Sequence, residues 1–150
     1  LLYIESVQRI LGAMRPYVHY YNERCLASSH EFHTIPHFPP SPRADGYVTV
    51  TEVRSTSAYE SYPLIVNENP RRYDSPLHLH NHRGETLSRE IAIPRMGTLF
   101  ESVDALFPPA QEFLEGRCGW LRLDNVVDNA LMGYHVIHHK ERGTWMVQHL

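Results

Sequence analysis

Apolar residues at the start of the chain recur at steps of three and four: Tyr3, Val7, Leu11, Met14, Val18 and Tyr21. That spacing places them on one stripe of an amphipathic helix. Ile4 and Ile10 widen the stripe, and the pattern predicts a helix over about 2–24. Pro16 lies inside it and predicts a kink near Met14 or Arg15, since proline lacks an N–H and clashes with the preceding turn. Neither period survives in 28–46, where Pro36, Pro39, Pro40 and Pro42 exclude a regular helix or a central strand. This segment reads as a long proline- and histidine-rich loop.

Beyond it the period becomes two. Tyr47 to Arg54 alternates, with Val48 and Val50 on one face and Thr49 and Thr51 on the other, as a half-buried strand does. Tyr62 to Val66, Leu77 to Asn81, Leu87 to Ile93 and Gly119 to Asp124 read as further short strands, with Arg83-Gly84 as a turn. Thr98 and Glu101 have the spacing of a capping box. Leu99, Val103, Leu106, Ala110 and Phe113 then continue a helix that Pro108-Pro109 must interrupt and Gly116 caps. Met132 to His139 and Thr144 to Leu150 form a hairpin around Lys140 to Gly143. Its register pairs His138 with Trp145, Val136 with Val147, Tyr134 with His149 and Ile137 with Met146. Trp145, Val147 and Val136 are expected to be buried together near Leu121 or Leu123. The sum is one α+β domain over 1–150: an N-terminal helix and one central helix packed on a mainly antiparallel sheet that ends in a C-terminal β-hairpin.

Composition narrows the function classes. The 150 residues suffice for one domain with a real core. Fourteen basic against seventeen acidic residues remove the charge excess that nucleic-acid binding uses, so nucleic acid is an unlikely partner. Apolar runs are far shorter than the ~20 residues of a membrane span. Cys25 and Cys118 belong to no CxxC motif and read as buried free thiols, which favours a reducing, intracellular compartment. The chain begins at Leu1, which suits a removed organelle presequence, and so a mitochondrial location, as well as a trimmed boundary.

Eleven histidines are the compositional oddity. His30, His33 and His37 fall in the proline-rich segment, and His135, His138, His139 and His149 on the terminal hairpin, where alternation splits them between faces. His78, His80 and His82 share one strand face and are followed by Glu85, which makes this set the candidate divalent-metal site. His78-Leu79-His80 with Glu85 resembles the first metal motif of cupins. That resemblance implies a small metal-dependent enzyme acting on a small molecule. Pro94-Arg95-Met96-Gly97 matches the turn of the second cupin motif, with no His after it. There is no phosphate-binding glycine loop and no nucleophile elbow.

The leading expectation is therefore a non-catalytic structural or accessory subunit of a larger protein assembly, with other protein subunits as partners and no cofactor. Phe32, Ile35 and Phe38, apolar residues on an irregular segment, are its candidate partner anchors. The alternative is the metal-dependent enzyme built on His78, His80 and Glu85.

Overall fold

The computed structural model describes residues 17–21, 26–30, 46–67, 69–126 and 131–149. Strands β1 (Tyr17–Tyr21) and β2 (Leu26–His30) form an antiparallel pair. The remaining strands are β3 (Gly46–Val53), β4 (Tyr59–Asn67), β5 (Tyr73–His80), β6 (Thr86–Ile93), β7 (Gly97–Phe100), β8 (Gly119–Val126), β9 (Leu131–His139) and β10 (Thr144–His149). Helices α1 (Val103–Leu106) and α2 (Ala110–Leu114) sit between β7 and β8. Sheet I has the order β3-β8-β5-β6 and sheet II the order β10-β9-β4-β7. Among the described residues, every strand pairing is antiparallel.

The α+β expectation is overturned: the described chain is mostly antiparallel β with two short helices. Residues 17–21 of the expected N-terminal helix are strand β1, while 1–16 and 22–25 lie outside the described residues. The physical reason lies in composition. Tyr17-Val18-His19-Tyr20-Tyr21 is rich in aromatic and β-branched side chains that favour the pleated chain. A stripe at steps of three and four does not outweigh that. Residues 28–30, assigned to the loop, belong to β2, and 31–45 lie outside the described residues.

The central helix is also corrected. Thr98 is inside β7, opposite Val66, so it caps nothing. The N-cap is Ser102, whose Oγ accepts from the Ala105 N–H at 3.1 Å. Pro108 and Pro109 then separate two single-turn helices, since neither nitrogen can donate. The Arg89 guanidinium closes the end of α1 by donating to the carbonyls of Ala105 and Leu106.

One core joins the two sheets. Val50, Val53, Leu77, Leu79, Ile91, Ile93, Leu121 and Leu123 contribute from sheet I. Ile65, Leu99 and Leu131 contribute from sheet II, and Val103, Leu106, Ala110 and Leu114 from the helical segment. The molecule is thus a β-sandwich whose helices plug the core. Pro63 and Pro76 fit within β4 and β5 because each stands where its strand has a neighbour on one side only. Pairing with β7 begins at Leu64, and pairing with β8 begins at Leu77.

The terminal hairpin has the predicted register. Its surroundings differ from expectation. Val136 pairs with Tyr62 on the outside of sheet II, whereas Leu121 and Leu123 belong to the inner layer of sheet I. Val136 is buried and Trp145 only half-buried.

Candidate functional site

The two outer faces of the sandwich differ in chemistry. On sheet I, alternation sends Leu77 and Leu79 inward and His78 and His80 outward. In register beside them stand Arg122 and Trp120 of β8 and Ser88 and Thr86 of β6. The His78 Nδ1 is 2.8 Å from the Ser88 Oγ, and its Nε2 is 3.3 Å from the Asp124 Oδ2. Asp124 also accepts from the Arg122 Nε. The His80 ring stacks on Trp120, with centroids 3.8 Å apart and planes 12° apart, while its Nδ1 is 2.8 Å from the Thr86 Oγ1. Burial, with the neighbouring His78 and Arg122 charges next, lowers the His80 pKa below the ordinary imidazole value. The His80 Nε2 is buried with no hydrogen-bond partner.

The expected metal set is only partly assembled. His78 and His80 are neighbours, with ring centroids 6.2 Å apart. His82 has left the strand: its Nε2 lies 3.9 Å from the Glu115 Oε2. Glu85 accepts from the Asn81 Nδ2 at 2.6 Å and lies 3.5 Å from the Arg83 Nε. Among the described residues, no three His, Cys, Asp or Glu side chains are grouped to hold a metal ion. Phe32, Ile35 and Phe38 lie outside the described residues. So does Cys25, while Cys118 is an exposed free thiol rather than a buried one.

The outer face of sheet II is apolar. Ser61, Ile65 and Asn67 of β4 point inward and are buried, so Tyr62, Leu64 and Val66 point outward. The register continues this face into Val136 and His138 of β9, Trp145 and Val147 of β10, and Phe100 of β7. The aromatic rings form one row. Tyr62 is 5.4 Å from Phe100 on one side and 5.4 Å from Trp145 on the other, centroid to centroid. Trp145 in turn stacks on His138 at 4.1 Å, with planes 11° apart. Phe100 is 49% exposed, so the row ends in open surface. The Tyr62 hydroxyl donates to the Glu60 Oε2 at 2.8 Å. Burial first, and that carboxylate second, push its pKa up to about 12.

Beneath this face, His135 is fully buried, with its Nε2 2.9 Å from the Ser61 Oγ. Its Nδ1 has no partner. Burial, with the Arg54 charge second, pushes its pKa down to about 4, so the ring is neutral in the core.

Sequence reading did not single out Tyr62, Phe100 and Trp145 as a surface. A signal existed: Tyr62-Pro63-Leu64-Ile65-Val66 is apolar without alternation, the mark of a strand apolar on both faces. No family model, curated protein or solved structure matches this chain. No helix among the described residues is long and apolar enough to cross a membrane.

Proposed function

We propose that the chain is a non-catalytic accessory subunit of a larger protein assembly, docking on a neighbouring protein through the outer face of sheet II. The observation that carries this reading is the aromatic row Phe100, Tyr62, Trp145 on a sheet face that also carries half-buried Leu64 and Val147 and buried Val66 and Val136, with Phe100 its exposed end. A sheet face turned away from its own core is normally polar. Tyr and Trp are the residues that most often anchor protein interfaces, because they bring large rigid area with one polar end. Glu60 and His138 supply polar atoms beside them, as a rim does.

The test is affinity capture from the native source, with wild type and a Phe100→Ser, Tyr62→Ser variant compared quantitatively. A stoichiometric partner held by wild type and lost from a variant that still melts cooperatively supports the reading. An identical set of bound proteins on both baits, or none on either together with a monomer in light scattering, overturns it.

The metal-dependent alternative keeps one observation, the unpartnered His80 Nε2 beside the His78 ring. Equilibrium dialysis against zinc tests it. Stoichiometric retention abolished by His78→Ala with His80→Ala supports it, and no retention by wild type removes it.

A further inference from the structure

At one end of the sandwich, three loops enclose an open cleft of about 610 Å3, with Arg54, Thr56, Tyr59, His82 and Arg117 among its lining. Each loop is held by its own hydrogen bonds. The Arg54 N–H donates to the Ser61 Oγ at 2.8 Å, and the Arg54 carbonyl accepts from the Ser61 N–H at 3.0 Å. His82 rides on a turn organised by Asn81, whose Oδ1 accepts from the N–H groups of Arg83 and Glu85, each at 3.0 Å. Arg117 follows the left-handed pair Glu115 (φ 52°) and Gly116 (φ 72°), and its N–H donates to the Leu114 carbonyl at 2.9 Å. The cleft therefore stands on fixed backbone.

Its charge is unbalanced. Outside the cleft, Arg72, Arg83 and Arg122 are paired with carboxylates and Arg89 donates to carbonyls, whereas Arg71, Arg95 and Arg142 have no carboxylate partner among the described residues. Among the described residues, neither Arg54 nor Arg117 has a carboxylate partner. Arg54 lies over the Tyr59 ring, 5.4 Å from its centroid. The acid nearest the His82 ring is Glu115, which the Arg83 guanidinium already engages. Two arginines without a carboxylate partner, a threonine and a histidine thus line one concave surface. Guanidinium forks match the several oxygens of a dianion better than a single carboxylate.

We propose that this cleft, through Arg54 and Arg117, binds the phosphate group of a small phosphorylated molecule. The test is NMR of the arginine Nε–H signals of the full chain during titration with inorganic phosphate and with pyrophosphate. Sodium chloride at matched ionic strength is the control. The Arg54 and Arg117 signals should shift saturably, with pyrophosphate the tighter probe because it offers more oxygens. Arg54→Gln with Arg117→Gln should weaken binding by roughly tenfold or more, the loss of charge-assisted bonds. Arg71→Gln with Arg95→Gln, an equal loss of charge away from the cleft, should leave it unchanged. Shifts that grow linearly and match those in chloride overturn the proposal. So does equal weakening by the two double variants.

Discussion

The two sheets share a core, yet their outer faces differ in chemistry. Sheet I turns outward His78, Arg122, Asp124 and Ser88, which bond to one another, and His80, which bonds to Thr86 and stacks on Trp120. Sheet II turns outward Tyr62, Leu64, Val136, Val147 and Trp145, which have little polar to offer each other. Apart from the buried His80 Nε2, the first face bonds within itself. On the second, Val66 and Val136 are already buried and Tyr62, Leu64, Val147 and Trp145 half-buried, so the apolar area left to cover centres on Phe100, at about 25 cal/mol per Å2. Inner faces answer for stability, and under the proposed reading the outer face of sheet II answers for recognition.

The comparison breaks first if the inner faces are not equivalent. Leu79→Ala in sheet I and Ile65→Ala in sheet II remove fully buried side chains from the same core. Each should cost about 3–4 kcal/mol in a urea melt. A cost under about 1 kcal/mol for either would show that its sheet does not pack on the common core.

The next effect is a pH dependence lodged in sheet II. His135 is held at about 4 in the folded chain, below its ordinary 6.5. As pH falls from about 6.5 to about 4, the unfolded chain takes up a proton that the folded core refuses. Stability should fall through that window, by up to about 3 kcal/mol, with no further loss from this group below it. His135→Leu should flatten the profile in that interval. An unchanged slope in the variant would place the protonation elsewhere.

The outer faces should rank below both. Trp145 is half-buried and stacked on His138, so Trp145→Ala should cost about 1–2 kcal/mol, less than deletion of a fully buried aromatic. Smallest is Ser88→Ala on sheet I, which removes one partner of a part-exposed His78 and should cost under about 1 kcal/mol. A Ser88 effect exceeding that of Trp145 would invert the contrast.

Single strands were legible where one period stood alone, but their arrangement into two sheets was not. Leu77-His78-Leu79-His80 alternates cleanly, and its strand, faces and outward histidines follow. The terminal hairpin register followed from a short loop ending in Gly143, which has φ 61°. Legibility failed where two periods fit one stretch. Val18 and Tyr21 satisfy a helical stripe, and the same five residues satisfy β propensity, so pattern alone did not decide. The capping box failed because Thr98 is claimed by pairing with Val66, a partner distant in sequence, and Ser102 takes the cap. The candidate metal set is not gathered for a related reason. His82 shares the two-residue spacing of His78 and His80, but the turn at Asn81 bends the chain away before it and Glu85 arrive. The aromatic row is assembled from β4, β7 and β10, and no local window contains it.

The chain supplies its own probe of the contrast, since its two tryptophans stand on opposite outer faces, Trp120 on sheet I and Trp145 on sheet II. Trp120→Phe leaves Trp145 as the sole tryptophan, and Trp145→Phe leaves Trp120. The decisive measurement is the emission of each single-tryptophan variant as a tryptophan-free preparation of the captured partner protein is added. Docking on sheet II predicts a saturable blue shift for Trp145 and none for Trp120. A shift confined to Trp120, or binding that moves neither, would contradict it.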